Sequence, residues 1–419
     1  MIARYTLGAA ALLALAAAPL LAQGIAERVA AANGPVRLTY ASRSGVCGDG
    51  RDVVARGRVL YVRGSMESYG RWSGVDCVAG PVRVTLTTRD RAVSDVRVRV
   101  GTPTSAAEGA DLGVVPAAAA ADFFLDLAAR GDGAVAKEAV LAAALADSAD
   151  VAPRLLRIAR DSARPRAVRR RAVQWAGETG GVAVLPELDA LARRTDDDRS
   201  IRETALASLS NVGGDAGVGL LVRYVRTSDD PWLQKKAVFW LGQSESAEAH
   251  RLLRAIVDSA KASEELRSGA IFAIGHGGDV TADDIAFLQR AYPMLPTEKL
   301  RDQVLMAVAQ YDGGTKWILD RARDEGEPLA SRRKAAFWAG QGGAPVADLV
   351  GLYRSAKEPE LCKHLLFVLA QRDERAATDE LLAVARSDAD PAMRKQAMFW
   401  LGQKDDPRVA ALIRDIVTH

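Results

Sequence analysis

One phrase recurs along the chain and limits its fold more than any other feature. Lys235-Lys236-Ala237-Val238-Phe239-Trp240-Leu241-Gly242-Gln243 returns as Arg333-Lys334-Ala335-Ala336-Phe337-Trp338-Ala339-Gly340-Gln341. It returns again as Lys395-Gln396-Ala397-Met398-Phe399-Trp400-Leu401-Gly402-Gln403. Weaker copies end near Gly177, Gly275 and Ala370. Aligned on the small residue that closes each phrase, the anchors are Ala146, Gly177, Ser210, Gly242, Gly275, Ala309, Gly340, Ala370 and Gly402, spaced 30 to 34 residues apart. A period of this size belongs to stacked supersecondary units, each burying its apolar face on its neighbours.

The fold expected from this pattern is mainly α, a solenoid of about nine helix pairs over residues 134–419. Each pair is read as a phrase helix, a turn at the anchor, then a second helix such as 184–193, 247–260 or 379–387. The anchor glycine suits the left-handed residue that ends many helices. Asp230-Pro231 and Asp390-Pro391 read as helix starts, because aspartate accepts orphan amides and proline fits the first turn. Residues 116–133, with Phe123, Phe124 and Leu127, read as a capping helix that covers the first stacking face.

The N-terminal quarter follows another rule. Arg4 and the short apolar run from Gly8 to Leu21, with Ala22-Gln23 as cleavage point, read as a signal peptide over residues 1–22, the alternative being an uncleaved anchor. A short helix is expected over 25–32. Val36, Leu38 and Tyr40 then alternate with Arg37 and Thr39, as in a half-buried strand. A second strand is expected within 53–63, a loop over Gly70 to Gly74, and a hairpin around Arg89-Asp90-Arg91. Residues 32–101 thus read as a small antiparallel β module, and 102–115 as a linker. Cys47 and Cys77 both fall in the module, and an exported chain meets an oxidising compartment, so a disulfide is expected. Closing that loop stabilises by about 3.6 kcal/mol in the chain-entropy account. Cys362 reads as a buried small apolar residue.

Val168-Arg169…Ala172…Trp175-Ala176-Gly177, Ile201-Arg202…Ala205…Leu209 and Asp390-Pro391-Ala392-Met393-Arg394…Ala397…Leu401-Gly402 resemble the Asp-Pro-x-Val-Arg-x-x-Ala-x-x-Ala-Leu-Gly pattern of HEAT repeats. The resemblance is to the short bacterial type also found in phycobilisome lyases. It departs where Trp175, Trp240, Trp338 and Trp400 replace the family's second small residue. It implies the solenoid fold and, for the phrase helices, a place on the concave side. It implies no activity, because such arrays serve unrelated systems. The β module matches no family pattern.

On a helical wheel, Leu233, Ala237, Val238 and Leu241 form the packing stripe. Lys235, Lys236, Phe239 and Gln243 fall on the other side. The matching positions carry Arg333, Lys334, Phe337 and Gln341, then Lys395, Phe399 and Gln403, with Phe272 and Phe367 in the weaker copies, where Lys363 and His364 follow the same logic. Such a ladder of cations, rings and amides suits an extended or acidic protein segment. The competing reading makes Phe and Trp wedges between repeats. Arg169, Arg202, Arg267, Arg301, Arg332 and Arg394 fall in the packing stripe and are expected to pair with inter-repeat acids such as Asp198 and Asp390.

The chain shows no catalytic constellation. His250, His276, His364 and His419 stand in separate repeats without metal-ligand spacing, and the Gly-Gly pairs lack a phosphate-binding context. Neither metal nor cofactor nor nucleic-acid partner is expected. Residues 23–101 hold 13 Arg, no Lys and 7 Asp or Glu, against a whole-chain net charge of +3. That asymmetry has two readings: attraction to an anionic surface, or solvated arginine-rich strands. The expected function is therefore an exported, periplasmic or envelope, non-enzymatic scaffold that binds a protein partner through the concave face. The alternative is an envelope glycan- or anionic-lipid-binding protein acting through the β module, with the solenoid as spacer. A lyase-like modifier is the third possibility.

Overall fold

Alternation of apolar and polar residues builds the N-terminal module. In the computed structural model it has, among the described residues, nine strands: β1 (Gly34–Tyr40), β2 (Val46–Gly48), β3 (Val53–Arg56), β4 (Val59–Val62), β5 (Ser68–Tyr69), β6 (Val78–Ala79), β7 (Val82–Arg89), β8 (Ala92–Arg99) and β9 (Ala110–Val114). The structure describes residues 24–32, 34–56, 59–63, 68–69, 77–103, 109–212, 214–278, 280–410 and 412. The expected signal peptide 1–22, the loop Gly70 to Gly74 and His419 lie outside the described residues. A helix spans 24–31.

One sheet has the order β8-β7-β1-β9. Its register sets Val36 opposite Leu86, Leu38 opposite Val84 and Tyr40 opposite Val82, and all six are buried. Asp90 and Arg91 both adopt positive φ, 52° and 64°. That is the two-residue turn whose twist matches the flanking strands. The second sheet has the order β5-β4-β3-β2-β6, and Cys47 is joined to Cys77 with a Cα separation of 5.2 Å.

Two expectations need correction here. The single strand within 53–63 is an antiparallel pair, β3 with β4, in which Val54 faces Tyr61. The segment read as a linker, 102–115, contains β9, which runs parallel to β1. The Ala-, Gly- and Thr-rich composition there hides the strand, because all of β9 but Leu112 is exposed and no alternation marks it.

The module is built onto the first helices. Past β1, Ala41 O accepts from Asp147 N at 2.9 Å and Arg43 N donates to Leu145 O at 2.8 Å. Tyr40 Oη donates to Ala142 O at 2.7 Å. The bonds to Leu145 O and Ala142 O satisfy carbonyls that the end of helix Gly133–Ala144 would otherwise leave open, and the bond to Ala41 O satisfies the Asp147 amide just beyond it.

The rest is a solenoid-like array of helices. After Ala117–Arg130, the phrase helices are Gly133–Ala144, Arg166–Gly180, Arg199–Asn211 and Pro231–Gly242 in one compact unit, which ends at Ser246. Those of the other unit, from Ala247, are Glu264–Gly275, Glu298–Ala309, Leu329–Gln341, Pro359–Ala370 and Pro391–Leu401. Asp198, Asp230, Ser263, Thr297 and Asp390 cap phrase helices through their side chains. In each unit, successive phrase helices pack closely on one another, whereas the intervening helices touch each other far less. In most repeats the tight hairpin joins the phrase helix to the helix before it and not, as the sequence reading pairs them, to the one after; Glu298–Ala309 and Pro359–Ala370 meet both neighbours about equally.

The anchors also act differently from the expectation. Gly177 and Gly340 lie inside their helices, Gly242 and Gly275 are the last residues of theirs, and Gly402 follows its helix in the right-handed region, φ −62°; none of the five takes a positive φ. A Cβ on Gly177 would sit 2.9 Å from Ser208 Cβ, on Gly275 2.3 Å from Ala307 Cβ, and on Gly340 2.4 Å from Val368 Cγ1. The glycine is there because the next phrase helix approaches too closely for a side chain.

The arginine row forms the second structural device. Arg169 Nε donates to Ala159 O at 2.7 Å and Nη2 to Asp197 Oδ2 at 2.5 Å. Arg202 repeats this with Ala192 O (2.9 Å) and Asp230 (2.5 Å), and Arg332 with Ala322 O (3.0 Å) and Glu358 (2.5 Å). Arg267, Arg301 and Arg394 also donate to backbone carbonyls just before their own helices. Each guanidinium closes the open end of the preceding helix, and the full version also binds the acid that leads into the next repeat. The acids are Asp197, Asp230 and Glu358. Asp198 and Asp390, expected in this role, cap helices instead, at 2.8 Å from Ser200 N and from Ala392 N.

Candidate functional site

Phrase helices expose one face, and the structure places the ladder residues on it as follows. In the first unit Lys235 is exposed, and Phe239 and Gln243 are half-buried. Lys236 Nζ lies 2.5 Å from Glu203 Oε1, and Phe239 meets Trp240 edge-on at 5.1 Å. In the second unit Phe272 is exposed and stacks on His276 at 4.4 Å. Gln341, Lys395, Phe399 and Gln403 are exposed, while Arg333, Lys334, Phe337 and Phe367 are half-buried. Gln341 Nε2 donates to Gln371 Oε1 at 2.9 Å, so the amides link neighbouring repeats.

The rings form a connected row in the second unit. Phe337 meets Trp338 at 5.2 Å and lies parallel to Phe367 at 6.5 Å. Phe367 meets Trp400 at 5.2 Å, and Trp400 meets Phe399 at 4.9 Å. The tryptophans, read from sequence as packing, divide. Trp175 is fully buried, whereas Trp240, Trp338 and Trp400 are half-buried beside the phenylalanines. The face is also less basic than the sequence implies, because Lys236 and Lys334 are each paired with an acid one repeat earlier.

An open cleft of about 380 Å³ lies within this row, lined by Asp302, Arg333, Lys334, Phe337, Trp338 and His364. Asp302 organises it: Oδ1 accepts from Trp338 Nε1 at 2.7 Å, and Oδ2 lies 3.2 Å from Lys334 Nζ. Among the described residues Arg333 Nε and His364 Nε2 are buried without a hydrogen-bond partner. Burial, reinforced by the Arg333 charge, pushes the His364 pKa below its ordinary value, so the ring is neutral at neutral pH. The cleft therefore offers an aromatic wall, cations and a half-exposed carboxylate. Sequence reasoning missed Asp302 and read Trp338 as packing. The wheel held one clue: Trp338 follows Lys334 by four residues, and that spacing shares a helix face.

A similar acid–cation pair is present, and covered, in the first unit. Counting back from the anchors, Arg171 and Trp175 hold the places of Lys334 and Trp338. Arg171 Nη1 lies 3.4 Å from Glu138 Oε1, an acid of the previous phrase helix. Tyr61 of β4 donates its hydroxyl to that same oxygen at 2.5 Å, with the guanidinium 4.8 Å from its ring centre. Burial, and then the Glu138 bond, push the phenol pKa well up. Glu178, in the place of Gln341, lies 3.7 Å from Arg56 of β3. The β module thus covers the phrase-helix face of the first repeats.

A polar cleft of about 300 Å³ also lies in the first unit, but its central Asp189 is already held by Arg193 at 2.7 Å, Arg223 at 2.8 Å and the Tyr224 hydroxyl. Among the described residues no group of three His, Cys, Asp or Glu is placed to hold a metal ion, and no helix is long and apolar enough to cross a membrane. Cys362 is buried and unpaired, its thiol pKa raised by burial.

No protein-family pattern matches the sequence, and neither does any curated protein. Solved structures match the chain at low similarity. Human deoxyhypusine hydroxylase is 18% identical over 55% of this chain and 88% of its own, with a TM-score of 0.26. The phycocyanin lyase complex of Nostoc is 16% identical over 59% of this chain and 93% of its own, with a TM-score of 0.29. Lipovitellin is 13% identical over 89% of this chain but 45% of its own, with a TM-score of 0.46. The first two are HEAT-like repeat proteins and, by name, a hydroxylase and a lyase. At these values the likeness does not separate an enzyme from a scaffold.

Proposed function

We propose that this chain is an exported, non-catalytic scaffold that holds an extended protein segment on its phrase-helix face, centred on the cleft between Asp302 and His364. The observation that carries this reading is the ring row beside that cleft. Phe399 of this row is 59% exposed, at a position where a ring serving only as a wedge would be covered, and Phe272, outside the row, is 36% exposed at the matching place of its own repeat. Apolar anchors flanked by polar groups are the usual energetic centre of a protein interface. The packing adds support, because the closer-packed layer of a two-layer array is its inner side, and in each unit that layer is the phrase helices. Export is supported by the Cys47–Cys77 disulfide, a bond typical of oxidising compartments.

The alternative, an anionic surface bound by the β module, draws less support from the module's arginines. Arg43 donates to Ala149 O, Arg56 faces Glu178, Arg37 lies 3.4 Å from Asp111, and Arg63 and Arg97 share Asp95. Each of these five is engaged by a group of the protein, which leaves, among the described residues, Arg51, Arg89 and Arg91 as exposed cations of the module.

The test is co-purification from cross-linked envelope extracts, comparing wild type with Phe337→Ala combined with Phe399→Ala. The double variant is expected to lose a protein that wild type captures, while its melting temperature falls by no more than about 4 °C. An unchanged set of captured proteins overturns the reading. A collapse in melting temperature identifies the row as packing.

A further inference from the structure

The filled site in the first unit shows what this face accepts. Around Tyr61 stand an acid of one phrase helix, Glu138, and a cation of the next, Arg171. Around the open cleft stand Asp302 and Lys334, an acid and a cation in the same order and about one period apart. Trp338 adds a donor to Asp302 there, whereas among the described residues the Nε1 of Trp175, its sequence counterpart, is buried without a partner. The acid–cation separations agree, 3.4 Å and 3.2 Å. One site holds a phenol and the other is open to solvent, its Asp302 and Lys334 side chains 33% and 40% exposed.

We propose that the open cleft takes a tyrosine side chain from the partner segment, its hydroxyl donating to Asp302 and its ring lying among Phe337, Lys334 and Arg333. The proposal rests on the scaffold reading and names the residue that the scaffold grips. A carboxylate has about four acceptor positions, and Trp338 and Lys334 use two of those on Asp302, so a further donor can be received. The ring gains cation–π attraction from Lys334 and Arg333 and an edge or face contact with Phe337. Phenylalanine would fill the same volume but cover part of a carboxylate without giving it a donor, which leaves a charged acceptor poorly satisfied. Phosphotyrosine would set its negative charge against Asp302. The site therefore selects unmodified tyrosine over both, and a site that hydrogen-bonds a hydroxyl discriminates strongly against analogues that lack it.

The experiment uses the full chain with fluorine-labelled tryptophan, and two probes, N-acetyl-tyrosinamide and N-acetyl-phenylalaninamide. The Trp338 resonance, assigned through Trp338→Phe, is expected to move with the tyrosine amide in the millimolar range and to respond about tenfold more weakly to the phenylalanine amide. Asp302→Asn, nearly the same in shape, is expected to bring the two amides close to parity with little change in melting temperature. Equal binding of the amides by wild type, no binding of the tyrosine amide, or a preference untouched by Asp302→Asn each overturns the proposal.

A companion arm separates this proposal from the reading beneath it. Suppose the captured partner depends on Phe337 and Phe399 but is not displaced by N-acetyl-tyrosinamide. Then the tyrosine assignment fails and the scaffold face stands. If the partner survives the double Phe substitution, both fail.

Discussion

Arg169→Ala is expected to destabilise the first unit by about 3–5 kcal/mol, the usual cost of breaking a buried pair by removing one member. The side chains of Arg169 and Asp197 are only 7% and 5% exposed. Truncation leaves the Asp197 carboxylate buried without its main counter-charge, and it also strips the donor from Ala159 O at the end of the preceding helix. Hydrogen exchange of the amides in Arg166–Gly180, with urea unfolding alongside, measures the loss. Arg394→Ala is the control. Its side chain bonds only to carbonyls among the contacts described, the residue is half-buried, and the cost should be well under half as large. The pH dependence has a definite sign. Burial pushes the Asp197 carboxyl up, but the Arg169 bond, the Asp198 amide and the Arg169 and Arg194 charges outweigh it, and the pKa ends below its ordinary 3.8. A lowered folded-state value contributes stability above the unfolded-state value and loses it as pH falls through the folded one. The wild-type loss therefore lies below about pH 4, and Arg169→Ala should flatten that acid limb. An unchanged limb would mean that the pair is not what holds these repeats together.

The repeat was legible because its signal is covalent: the same phrase returns every 30 to 34 residues, and helices capped by Asp230 and Asp390 start where Asp-Pro announces them. The role of the anchor glycine was not legible. Gly340 looks like a helix terminator in one dimension, and only the Val368 side chain, 2.4 Å from where a Cβ would stand, shows that it makes room for the next helix. The strand β9 was hidden for a similar reason, since its place depends on β1, more than 70 residues earlier, and its own residues carry no alternation. For the cleft, the wheel found Arg333, Lys334 and Phe337, all on one helix. It could not find Asp302, which sits one period earlier and joins them only through packing. Local spacing reveals what one helix presents, and a site shared between repeats needs the register of the stack.

Tyr61→Ala should cost about 3–5 kcal/mol, the range for removing a large aromatic from a core, because Tyr61 is 2% exposed and the β module meets the first repeats around it. Tyr61→Phe isolates the hydroxyl. A bond to a charged acceptor contributes about 1.5–3 kcal/mol, and its loss leaves Arg171, at 3.4 Å, as the described partner of Glu138. Urea unfolding of Tyr61→Phe, Glu138→Gln and the double variant gives the coupling directly. A coupling of about 1.5 kcal/mol or more means that the phenol and the carboxylate act together. The cation–π contact from Arg171 survives in Tyr61→Phe, so any difference between the Phe and Ala variants reports ring packing and that contact. This measurement also reaches the second unit. A weak Tyr61–Glu138 coupling would say that an acid and a cation on adjacent phrase helices do not value a phenol, and Asp302 and Lys334 would then have no reason to select one. A strong coupling would make the β module the protein's own example of how the face grips a tyrosine-bearing strand.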